Sequence, residues 1–86
     1  MEYKDKIIES MGIPKEILSQ YPKITITGET DITVENIKGI IEYTTDLLKI
    51  NTYLYIIKIN GEGLLIDEIT SKIISVKGKI KSVELI

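Results

Sequence analysis

From Pro22 to its last residue, the chain alternates short apolar–polar runs with turn residues, and no stretch is long enough for a crossover helix. Parallel strands need such crossovers. A parallel α/β sheet is therefore excluded, and antiparallel pairing remains. The alternation is clearest from Pro22 to Thr44, which reads as three strands joined by two tight turns. Ile24 and Ile26 face one way, Thr25 and Thr27 the other; Ile32 and Val34 are opposed in the same way to Thr33 and Glu35. A period of two marks strands with one face on a core.

The same reading predicts strands over 23–27, 31–36, 39–44, 47–52, 54–60, 63–69, 72–77 and 79–85. Turn residues separate them: Gly28 and Glu29, Asn36 to Lys38, Thr45 and Asp46, Asn60 to Gly63, Thr70 and Ser71, and Gly78. Short turns between short strands predict an all-β fold, an antiparallel meander rolled into a sandwich or open barrel. Ile32-x-Val34 has a faint echo in Leu64-x-Ile66, which leaves a short β-solenoid as the alternative. The last strand, with Lys79 and Lys81, reads as a protected edge.

A short helical arm is expected over residues 1–20, ahead of a β domain over 22–86, the whole chain making one domain. Tyr3, Ile7, Ile8 and Met11 share one helical face, Gly12 stops that helix, and Pro14 opens a second turn. Such an arm is expected to cover one end of the sheet. Docking on a membrane or partner is the other reading.

Eighty-six residues bury a thin core, so a supplement to stability is expected. With no cysteine, it is not a disulfide. Oligomerisation is the remaining route, and a homo-oligomer is expected. Having neither histidine nor cysteine, the chain has no Cys/His zinc site and no Ser-His-Asp or Cys-His catalysis. No cofactor or metal is expected. Acidic pairs, Glu35 with Glu42 and Asp67 with Glu68, are the remaining catalytic candidates, and strand alternation puts Glu35 in solvent. The chain is read as no enzyme. Gly61-Glu62-Gly63 lies between two strands, whereas a dinucleotide loop leads into a helix, so it reads as a hairpin turn.

The net charge is −2 and all 11 basic residues are lysine. Arginine is the preferred partner of guanine and phosphate, so nucleic acid is not an expected partner. Tyr53, Tyr55 and Lys58 keep open an alternative, a small β-barrel binding a ligand or a single strand. Tyr53 to Ile59 is apolar on both faces, with Tyr53, Tyr55, Ile57 and Ile59 on one of them. These four are the candidate interface; the equal alternative is a central strand covered on both sides, with the N-terminal helices over one face. The N-terminus has charges where a signal peptide would be apolar, and no run is long enough to span a bilayer, so a cytoplasmic chain without direct membrane insertion is expected.

Pro22-Lys23-Ile24-Thr25-Ile26-Thr27-Gly28 and Val34-Glu35-Asn36-Ile37-Lys38-Gly39-Ile40 together resemble the YabP/YqfC family of sporulation proteins, and more closely its YqfC-like branch. Gly78-Lys79-Ile80 and the segment Ile13 to Leu18 continue the likeness, which runs from about Ile13 to the end. Tyr21 and Ile37 depart from the family pattern, and Ile37 weakens any recognition role for that side chain. The resemblance implies a non-enzymatic structural or assembly factor for endospore formation. It would act in the mother cell through protein contacts near the forespore membrane, with a membrane-bound sporulation protein as a partner. The matching residues are Pro22, Gly28, Glu35, Asn36, Lys38 and Gly39. Each has a structural use: Pro22 at the strand entry, Asn36 in a left-handed turn, Gly28 and Gly39 at tight returns, and Glu35 paired with Lys38 across a hairpin.

Overall fold

The computed structural model describes residues 20–86, and the expected helical arm lies outside them apart from Gln20. The described residues form β1 (Lys23–Thr27), β2 (Asp31–Glu35), β3 (Ile37–Tyr43), β4 (Leu47–Thr52), β5 (Ile56–Ile69) and β6 (Ile73–Leu85). Every pairing is antiparallel, in one sheet ordered β1-β2-β6-β5-β4-β3. The fold is all-β, as the alternation predicts. It is not a solenoid, whose rungs would pair in parallel.

The connectivity forces the sheet to curl. β2 and β3 stand second and sixth in the sheet, yet Asn36 alone joins them. Four strand spacings in a flat sheet come to about 19 Å. A one-residue link reaches about 7 Å. The sheet therefore rolls until the start of β3 meets the far end of the β5–β6 hairpin, where the Ile37 amide donates to the Lys72 carbonyl at 3.0 Å. Rolling also encloses the core. Ile32, Val34, Ile37, Leu48, Ile50, Ile57, Ile59, Leu64, Ile74 and Val76 form one buried cluster drawn from five strands. Each such side chain contributes roughly 1.5–3 kcal/mol by leaving water.

Six strands replace the eight expected because two of the expected turns are bends within strands. Gly61-Glu62-Gly63 lies inside β5, and Gly78 inside β6. Glu62 pairs with Lys79 and Leu65 with Lys77, so Gly63 and Leu64 together oppose Gly78. This bulge resets the alternation: Ile57, Ile59 and Gly61 point inward, and then Leu64 does. Gly63 has φ 62° and Gly78 φ 138°, both in the region that glycine favours. Residues 79–85 are thus the second half of β6 rather than a separate strand, and among the described strands they pair with β5 alone, as an edge would. The first half is held between β2 and β5.

The β2–β3 connection is also not a hairpin. β2 pairs with β1 and β6, and β3 with β4. Glu35 and Lys38 therefore lie on strands that are not partners, and the expected pair between them does not form. Glu35 meets Lys23 on β1 instead, at 3.9 Å.

Candidate binding cavity at the turn end of the sheet

Three reversals of the chain use one device. Thr44, Thr52 and Thr70 each open a turn, and each hydroxyl accepts from the amides two and three residues on. The same hydroxyl donates to the carbonyl of the third residue. A threonine hydroxyl can satisfy a turn's amides in this way without a positive φ. Thr52 is buried and its three bonds are all internal, so that turn, residues 52–55, is the most enclosed of the three.

Two of these turns meet the Asn36 crossing. Asn36 has φ 64°, which asparagine tolerates better than most residues, and its side-chain amide donates to the Tyr21 carbonyl at 2.7 Å. It thereby fixes both the chain reversal and the approach to β1. Around it opens a cavity of about 380 Å³ lined by Gln20, Asn36, Ile37, Lys38, Tyr53, Ser71 and Lys72. Tyr53 comes from the 52–55 turn, and Ser71 and Lys72 from the 70–73 turn.

The cavity is cationic. The Lys38 ammonium stands 5.2 Å from the centre of the Tyr53 ring, a distance at which the ring quadrupole attracts it. Among the described residues, Lys23, Lys49, Lys58, Lys77 and Lys81 each lie within ion-pair distance of a carboxylate. Lys38, Lys72 and Lys79 have no such partner among the described residues, and none of the described residues lining the cavity is a carboxylate. Two lysines and an aromatic ring, with a serine and a glutamine also in the lining, suit an anion carried on a partly apolar body.

The residues singled out in the sequence scatter over the fold. Asn36 and Lys38 line the cavity. Pro22 sits just before β1, Gly28 at the β1–β2 turn with φ 59°, and Gly39 at a register shift within β3. Of the apolar four, Tyr53 is exposed and on the cavity wall, Tyr55 packs against the core, and Ile57 and Ile59 are fully buried. An interface through Ile57 and Ile59 would require the core to open, because β5 carries them into the enclosed face of the curled sheet. Gln20 and Lys72 carry no signal in the sequence on their own, and Ser71 reads there only as a turn residue. The recurrence of Thr-x-x-apolar at 44–47, 52–55 and 70–73 is the pattern that would have located the turns presenting Tyr53, Ser71 and Lys72.

A family model described as the YabP family matches residues 19–86. The chain belongs to the YabP family. No significant match links it to a curated protein or to a solved structure. The matched span takes in all six described strands and every described cavity residue, which places them within the span that the family model covers. The match does not separate the YqfC-like branch from the rest of the family. Among the described residues, no helix is long and apolar enough to cross a membrane.

Proposed function

We propose that this chain is a non-enzymatic assembly factor for endospore formation, acting in the mother cell through protein contacts near the forespore membrane. The observation that carries the reading is the YabP-family match over residues 19–86, a family of sporulation proteins. A homo-oligomer is part of the proposal. In its support, β1 and β3 each have one strand neighbour among the described residues, and Ile26 and Ile41 on these edges are about half exposed. Unpaired edges with β-branched side chains favour strand addition.

The test is the heat-resistant spore count of a strain deleted for the gene, with and without complementation in trans. A collapse restored by the wild-type gene is expected, and a normal count would overturn the sporulation role. Self-association has its own measurement. Light scattering at tens of micromolar is expected to give a mass above that of one chain, and a monodisperse monomer would remove oligomerisation from the proposal.

A further inference from the structure

We propose that the cavity beside Asn36 binds an acidic segment of a partner polypeptide, its carboxylate held between Lys38 and Lys72. This rests on the reading of the chain as a protein-contact factor and supplies the contact site. Three observations converge on it. The first is size. At about 380 Å³ the cavity is larger than a lone carboxylate or phosphate needs and falls within the range of about 300–1,000 Å³ typical of small-ligand sites. The occupant therefore brings a body as well as a charge.

The second is charge. Lys38 and Lys72 line the cavity from different parts of the fold, one from the start of β3 and one from the β5–β6 turn, and no acid stands among the described lining residues. The Tyr53 ring steadies the Lys38 ammonium before any ligand arrives, which lowers the ordering cost of binding. Ammonium–carboxylate pairs across a contact steer encounter and fix register and partner choice.

The third is what the cavity lacks. It has no arginine, and neither has the rest of the chain, whose net charge is −2. Polyphosphate ligands are generally met by guanidinium forks and a basic field. Two lysines against an aromatic ring and the Ile37 side of the core match a carboxylate flanked by an apolar residue better. Ser71 and Gln20 add hydroxyl and amide groups for the backbone of such a segment.

The test titrates the full-length ¹⁵N-labelled chain with acetyl-Asp-Leu-Glu-amide, with its neutral isostere acetyl-Asn-Leu-Gln-amide, and with inorganic phosphate. The acidic peptide is expected to shift the amides of Asn36, Lys38, Tyr53, Ser71 and Lys72 saturably, and more weakly as salt is raised. The double variant Lys38→Glu, Lys72→Glu is expected to weaken binding by about tenfold or more. Its circular dichroism and melting temperature check that the fold survives; if it does not, Lys72→Gln alone is used, with a smaller loss expected. Absence of saturable shifts, equal shifts with the neutral peptide, or equal shifts with phosphate would each overturn the proposal. A normal spore count in the deletion strain would leave the titration standing, and a failed titration would leave the spore count standing, so the two readings fail separately.

Discussion

The bend in the β5–β6 hairpin and the turn end of the sheet solve the same problem with opposite results. Both redirect the chain sharply. At the bend, backbone passes backbone and nothing is left over. A Cβ built on Gly61 would meet the Lys79 carbonyl oxygen and lie 2.8 Å from Leu64 Cδ2, and one on Gly78 would lie 2.7 Å from the Gly63 carbonyl oxygen. At the turn end, threonine hydroxyls satisfy the backbone from outside, and the side chains at the tips of the turns are released. There a cavity with two lysines opens. A bend made by glycine closes the fold; turns capped by side chains leave groups free for a partner.

The sharpest way to break the comparison is to put a methyl group into the bend. Gly61→Ala is expected to destabilise the chain by about 3 kcal/mol, since neither neighbouring backbone can move without disturbing the paired strands. Urea denaturation followed by circular dichroism measures it. Gly39→Ala, with nothing within 4 Å of its added Cβ and no positive φ, is the control and is expected to stay within about 0.5 kcal/mol of wild type. A Gly61→Ala variant as stable as that control would mean the bend has room for a methyl group between Lys79 and Leu64.

The turn end gives the next effect. Thr52→Val keeps the shape of the side chain but strands the Leu54 and Tyr55 amides in a half-buried turn. A loss of about 1.5 kcal/mol is expected. The matching change at Thr70 is expected to cost about 0.5 kcal/mol, because water replaces the hydroxyl at an exposed turn. Thermal melts of the two variants give the ordering. Equal losses would show that burial does not distinguish the turns.

Within the bend, Gly63 separates conformation from space. Its φ is 62°, yet an added Cβ meets nothing within 4 Å. Gly63→Ala is expected to cost about 1 kcal/mol, from left-handed backbone strain alone. Compared with Gly61→Ala, it divides the bend's demand for glycine into dihedral and close approach.

These contrasts also mark what was legible in the sequence. Period-two alternation located the β1, β2 and β4 runs closely, because a half-buried strand writes its two faces directly into neighbouring residues. It failed at Gly61 and Gly78, where glycine is as compatible with a bulge as with a turn, and the choice depends on whether strands on both sides pair across the break. It failed again at Asn36. A left-handed asparagine between two strands reads as a hairpin, but β2 finds β6 instead of β3, a long-range pairing that no local pattern specifies. Ile57 and Ile59 misled for a related reason. An apolar run reads alike whether a partner or the chain's own curl covers it. The motif residues Asn36 and Lys38 were visible. That they share a cavity with Tyr53, Ser71 and Lys72 follows only from three turns meeting at one end.

The smallest effect comes from the outer surface of the bend. Lys81 Nζ lies 2.8 Å from Glu62 Oε1, across the place where β6 carries an extra residue. That hydrogen bond, and then the Glu62 charge, raise the Lys81 pKa above its usual 10.5. A lysine pKa raised on folding stabilises the chain while both states are protonated, below 10.5, and the contribution disappears as pH rises through the folded value. Both side chains are exposed, so solvent screening keeps the contribution small. Glu62→Gln is therefore expected to melt slightly below wild type at neutral pH and low salt, with the gap closing both in high salt and above the lysine pKa. Melting curves across that pH range, at two salt concentrations, decide the matter. A gap that persists at high pH would mean Glu62 acts through packing or backbone at the bend rather than through its charge, which would place this side chain in the same class as the glycines beneath it.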